Sequence, residues 1–163
     1  MKYKIGMYGG KFMPFHKGHR YCVETASNEC EKVYVILFYG GADEIEILKN
    51  NNFNYLSIET RKQKVIELTS NYPNAIPIFI DVTNCRLDNG KEDWDAETPL
   101  VRNVVGDTLN AVYSSEESYG DYFSRAYPEA VHRLVDVKRK HYPISGTMIR
   151  NMKRKEEREE WMV

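Results

Sequence analysis

Cysteine is scarce in this chain: 163 residues contain three, Cys22, Cys30 and Cys85. An odd number without metal-ligand spacing excludes a disulfide framework and a zinc finger. Cys22 and Cys30 read instead as core residues of the first helix, which fits a reducing compartment. No apolar run is long enough to span a membrane and no leader pattern is legible, so a cytoplasmic location is expected. A surplus of one charge is missing as well. Lys and Arg total 23 against 24 Asp and Glu, a formal net charge of −1. That balance implies no general polyanion-binding surface, so neither nucleic acid nor an anionic membrane is expected as a partner. Any affinity for a charged ligand must come from a local cluster. The G-x-G-x-x-G fingerprint is absent too, which excludes the ordinary dinucleotide-binding loop.

What is present is a globular composition, 42% apolar with mixed charge, at a length that fits one domain spanning residues 1–163. Strand and helix patterns alternate. Strands are expected over 4–8, 32–39, 76–81, 111–114 and 132–135. Helices are expected over 17–30, 58–70, 99–109, 119–126 and 147–155, the third with Thr98 as cap and Pro99 at its first position. This order predicts an α/β fold: a mostly parallel five-stranded sheet with helices on both faces and ligands at the strands' carboxyl ends. Residues 40–57, with Gly40-Gly41 and Asn50-Asn51-Asn52, read as a long loop rimming the site or a plain surface loop. The charged run 153–160 reads as a solvated helix end.

One segment stands out. Gly9-Gly10-Lys11-Phe12-Met13-Pro14-Phe15-His16-Lys17-Gly18-His19 leads from a strand through a Pro-braced turn into a helix. Two imidazoles three residues apart share a face at a helix start, where backbone N–H groups favour an anion. Gly9, Gly10 and Gly18 leave room for a ligand to approach the backbone. A pair of surface histidines after a Gly-Gly turn is the bland alternative. A second segment, Ile144-Ser145-Gly146-Thr147-Met148-Ile149-Arg150, offers Ser145 or Thr147 as a helix cap and a guanidinium suited to phosphate. Together the two point to a phosphate site.

These segments resemble G-x-F-x-P-x-H-x-G-H and I-S-x-T-x-I-R, the paired motifs of the HxGH nucleotidyltransferase superfamily. Within it the chain is most similar to nicotinamide-mononucleotide adenylyltransferases, in particular the NadR-like adenylyltransferase domain. Gly10-Lys11-Phe12, Gly146 and the run Val112-Tyr113-Ser114-Ser115-Glu116 carry that finer likeness, which extends over residues 3–150 and is poorest over 40–57. The resemblance implies a Rossmann-like fold and transfer of AMP from ATP to nicotinamide mononucleotide, giving NAD and pyrophosphate. It implies His16, His19 and Lys11 as catalytic residues. Gly9, Gly10, Phe12, Gly18, Ser114, Ser115, Glu116, Ser145, Thr147 and Arg150 would hold ATP. Magnesium is the implied cofactor, held mainly by phosphate oxygens and water, and no protein residue is singled out as its ligand. Trp94, in the polar segment Lys91–Asp95, is the candidate to stack on the cationic pyridine, against the alternative of a core-edge Trp; Trp161 receives no role. A cytidylyltransferase acting on a phosphorylated alcohol and a non-catalytic nucleotide-sensing module are the rival readings. No G-x-x-x-x-G-K-[ST] loop occurs, so riboside kinase activity is not expected. Oligomeric state, a homo-oligomer included, is left open.

Overall fold

The computed structural model describes all residues from Met1 to Val163. Five strands, β1 (Tyr3–Gly10), β2 (Cys30–Tyr39), β3 (Ala75–Asp81), β4 (Ala111–Ser114) and β5 (Val131–Leu134), form one sheet in the order β3-β2-β1-β4-β5. Every pairing is parallel. The residues dictate this: Val33, Val35, Ile36 and Leu37 are wholly buried, a run apolar on both faces, as a central parallel strand requires. Helices α1 (Lys17–Glu29) and α3 (Ile58–Thr69) cover one face, where Val23, Ala26, Val65 and Leu68 meet Val33, Val35 and Leu37. Helices α4 (Trp94–Val105) and α5 (Gly120–Ala126) cover the other, bringing Val101, Val105, Tyr122 and Tyr127 onto Met7, Ile36 and Val112. All three cysteines are buried and unpaired. Cys30 is not inside α1 but closes it, entering β2 with its thiol 3.4 Å from the Tyr113 hydroxyl. No helix is long and apolar enough to cross a membrane.

Three expectations about the elements are corrected. Residues 40–57 are not a loop throughout: Ala42–Asn50 forms helix α2 and Asn54–Leu56 a single 3-10 turn. The helix escaped notice because its one buried side chain is Glu44, paired with Arg61 of α3, so it has no apolar stripe to detect. Helix α4 begins at Trp94, five residues earlier than Pro99 suggests, because Asp93 accepts the Ala96 N–H at 3.3 Å and acts as the cap. Pro99 then lies inside the helix, and Trp94 is its first residue.

The expected helix at 147–155 is two, α6 (Gly146–Asn151) and α7 (Lys155–Trp161). The break lets α7 fold back: Arg158 donates to the Met152 carbonyl at 2.8 Å and lies 5.0 Å over the Phe53 ring. Beyond it Met162 bridges His16 and the Val163 N–H reaches the Phe15 carbonyl at 3.3 Å. The charged run does carry ion pairs, Lys155–Glu159 among them, but its far end is docked against the histidine loop. Trp161 is half-buried there, with the Lys17 ammonium 5.9 Å from its ring.

Candidate active site

In this topology the chain leaves β1 in one direction for β2 and β3 and returns on the other side for β4 and β5. The crevice between β1 and β4 is thus the place where a parallel sheet opens at its carboxyl end. A cavity of about 400 Å³ lies there. It is lined by every residue singled out from the sequence, from Gly9, Gly10, Lys11 and Phe12 through His16, Gly18 and His19 to Trp94, Ser114, Ser115, Glu116, Ser145, Thr147 and Arg150.

The histidines are built in an unusual way. His16 is the N-cap of α1, and its Nδ1 accepts the Gly18 N–H at 3.0 Å. His19 answers with its own Nδ1, accepting the His16 N–H at 3.1 Å. Reciprocal capping of this kind is ordinarily made by Ser or Thr with Glu or Gln; here two imidazoles do it. An accepting Nδ1 leaves the proton on Nε2, so both rings are fixed in one tautomer with one N–H donor free. The rings stack at 3.6 Å, a spacing that two cations would not tolerate. Burial, reinforced by the Arg139 charge, holds His16 down at about 4. Burial followed by the His16 and Arg139 charges holds His19 well below the usual imidazole range. The site therefore presents two neutral donors at pH 7.

The glycines that line the cavity are also required by the packing of the chain itself. A Cβ on Gly9 would lie 2.5 Å from the Phe38 ring, and one on Gly18 would lie 2.9 Å from the His16 ring. Packing of the protein against itself already demands them. Phe12, at φ 54°, turns the chain after Gly10 and packs edge-on to His19 with centroids 5.0 Å apart.

Around these donors stand three cationic side chains in different states. Lys11 is not a free charge: its ammonium lies 3.1 Å from Asp43 and 3.5 Å from Glu92. Arg139, which the sequence reading missed, donates to the Ile144 carbonyl at 2.6 Å and pairs with Glu116 at 3.0 Å. Its signal was faint, one residue in a Lys-Arg-Lys run. Arg150 donates to the Thr147 hydroxyl at 3.1 Å and to the Met13 carbonyl, but to no carboxylate. Burial pulls its guanidinium below the usual value, so an incoming anion would relieve it. Ser145, not Thr147, caps α6, accepting the Met148 N–H at 3.2 Å. Ser114 is bound to His132 at 2.7 Å and Ser115 faces the Cys22 thiol at 3.3 Å. Trp94 donates its indole N–H to Glu92 at 3.1 Å and packs against Tyr119 and Tyr122. It is half-buried at the core edge and lines the cavity as well.

The sequence profile of the cytidylyltransferase-like family matches residues 7–152, which takes in both segments of the site. The chain belongs to that family. Membership makes it a nucleotidyltransferase. It is 24% identical over 153 residues to the trifunctional NAD biosynthesis/regulator protein NadR of Escherichia coli, and 25% identical over 149 residues to that of Salmonella typhimurium. The alignments take in 91% and 90% of this chain but only 37% and 36% of those proteins. Among solved structures, a NadR protein in complex with NAD and AMP-PNP superposes over 90% of this chain and 41% of that one. Its TM-score is 0.63, at 20% identity. A bifunctional NMN adenylyltransferase/ADP ribose pyrophosphatase from Francisella tularensis superposes over 91% and 41%, with a TM-score of 0.62 at 20% identity. These likenesses establish the fold as α/β of nucleotidyltransferase type.

No group of three or more His, Cys, Asp or Glu in this family member is placed to hold a metal ion. A divalent ion that meets only one or two carboxylates of a protein takes its remaining ligands from phosphate oxygens and water.

The depressed histidines carry a consequence for stability. The unfolded chain takes up a proton at His16 near pH 6.5, while the folded chain refuses it down to about pH 4. Folding stability is thus full above pH 6.5 and falls as the pH drops toward 4. At 1.36 kcal/mol per pKa unit, the loss from His16 alone is about 3 kcal/mol. His16→Asn keeps a capping acceptor without the imidazole, so urea midpoints between pH 4.5 and 7.5 should vary less in the variant. Parallel curves for the two proteins would show that the ring titrates normally.

Proposed function

We propose that the chain transfers AMP from ATP to nicotinamide mononucleotide, giving NAD and releasing pyrophosphate. The observation that carries this is the pair of neutral, tautomer-locked imidazoles facing the same cleft as the carboxylate-free Arg150. Such an array is built for phosphate and has no nucleophile or strong base. None is needed, because the attacking group is already an anion. A phosphate oxygen of the mononucleotide forms a bond to the α-phosphorus as the bond from that phosphorus to the bridging oxygen breaks. The barrier is electrostatic and positional. In this reading His19 donates its Nε2–H at the reacting phosphorus and His16 donates to the neighbouring phosphate. Arg150 and Thr147 hold the leaving pyrophosphate, and Lys11 leaves its resting carboxylates to follow the charge. Ser114, Ser115 and Glu116 border the adenosine, and Trp94 stacks on the pyridine. Magnesium enters with the triphosphate and lowers its charge. The whole chain acts as one nucleotidyltransferase domain.

Pyrophosphate release tests this. ATP and CTP are each supplied with nicotinamide mononucleotide and with a panel of phosphorylated alcohols, all with magnesium. Only ATP with the pyridine mononucleotide should give rapid release and a product with the mass of NAD. Turnover of CTP with a phosphorylated alcohol would replace this reading, and tight nucleotide binding without any turnover would make the chain a sensor.

A further inference from the structure

A site that must gather two highly charged anions has little use for buried acid, yet this cleft contains a pair of carboxyl groups. Glu97, in the first turn of α4, is 7% exposed and lines the cavity, and its buried Oε1 has no donor other than a proton shared with Glu92. The Glu92 side chain is 5% exposed and lines the same cavity. Its Oε2 takes the Trp94 indole N–H, and its Oε1 faces Lys11. Burial, and then the nearby Glu92 charge, push the Glu97 carboxyl up to about 8. Near neutral pH Glu97 thus keeps its proton. Neither phosphate of the reaction gains from this, so the pair must serve another part of a ligand. Glu92 is bonded to Trp94, and Trp94 stands against Tyr119 at 5.0 Å and Tyr122 at 5.7 Å. An aromatic wall ending in carboxyl oxygens accepts a flat ring that bears N–H donors. It rejects a ring that bears a carboxylate, which has only acceptors and would add a like charge in a buried place.

We propose that Glu97, acting with Glu92, is the specificity-determining residue of the site: it accepts the N–H of a pyridine carboxamide and excludes the corresponding pyridine carboxylate. This rests on the nicotinamide mononucleotide reading above and adds the group that separates amide from acid. The charged and titratable groups facing Glu97 are Glu92, Lys11 and Asp93, with Cys85, Tyr122 and Tyr127 behind them. The two mononucleotides share ribose and phosphate, so titration of those parts cancels when the substrates are compared as a ratio. Above pH 8 Glu97 loses its proton and the corner gains negative charge. Discrimination should sharpen there.

The experiment measures kcat/KM for nicotinamide and nicotinate mononucleotides at pH 7 and pH 9, with saturating ATP, in the wild-type chain and in Glu97→Gln. The wild type should favour the amide by about a hundredfold at pH 7, and by about tenfold more at pH 9, the size of one added like charge in a partly screened site. Glutamine is isosteric, cannot titrate and can donate to a carboxylate. The variant should narrow the ratio by about tenfold at pH 7 and make it independent of pH. If the wild type uses the amide substrate but its ratio is flat from pH 7 to 9, or the variant keeps the wild-type ratio, the assignment of Glu97 is wrong and the adenylyltransferase reading stands. If the wild type turns over neither pyridine mononucleotide, that reading fails and this inference falls with it. The wild-type pH profile decides the matter even if the variant does not fold.

Discussion

His19→Ala should lower turnover by about 10²–10³ while leaving ATP affinity much closer to wild type. The asymmetry follows from when the donor is used. An Nε2–H aimed at a phosphorus that gains charge during transfer is worth more in the transition state than in the bound substrate, so its loss appears in kcat rather than in KM. The substitution has one other effect, because the Nδ1 of His19 also satisfies the His16 N–H. A lost cap costs about 1 kcal/mol of stability, and a melting curve recorded beside the kinetics separates that from catalysis. A variant that turns over at a tenth or more of the wild-type rate would remove His19 from the chemistry.

Glu44→Ala should destabilise the fold by about 3–5 kcal/mol, the usual result of stranding one member of a buried ion pair. Glu44 and Arg61 face each other with side chains 2% and 1% exposed. Arg61 donates to the Leu56 carbonyl at 2.9 Å and to the Lys11 carbonyl at 3.0 Å, and Glu44 accepts the Gly40 N–H at 2.6 Å. Without Glu44 the guanidinium keeps its carbonyls but loses its counter-charge in a place water does not reach. The double variant Glu44→Met/Arg61→Met should recover most of the loss, since two apolar chains of similar bulk carry no stranded charge. Urea midpoints for both proteins check this. A single variant within 1 kcal/mol of wild type would mean that water reaches Arg61.

The sequence made most of the sheet legible because β2, β3 and β4 carry short apolar runs bounded by turns, and β4 was read to the residue. It also made the two phosphate-facing segments legible, because Gly, His and Arg at fixed spacing have few other uses. What it concealed has a common physical character. Helix α2 is held by a buried salt bridge, which leaves no hydrophobic periodicity. The start of α4 is set by Asp93, one acid among several in Lys91–Asp95, and Pro99 is a louder but misleading mark. Arg139 and Glu97 reach the cleft from segments with no motif at all. The resting partners of Lys11 come from α2 and from the turn before α4, far apart along the chain. Pairings of this kind depend on tertiary placement, and no local pattern encodes them.

The central position of β1 bears on how the molecule comes to be folded. Its first partner, β2, follows directly after α1, but its second, β4, arrives only after α4 has been made. The link is direct: the Ile5 N–H is satisfied by Asn110, 105 positions later. Until that strand docks, half of the backbone groups at the middle of the sheet wait for a partner, and the loop that carries the histidines has one wall instead of two. Long-range parallel pairing closes large loops before it returns any energy, which makes such chains slow and leaves their strand edges exposed on the way. Binding competence is therefore a late event in folding. A nascent chain would present a formed β1–α1–β2 unit well before it could hold a nucleotide.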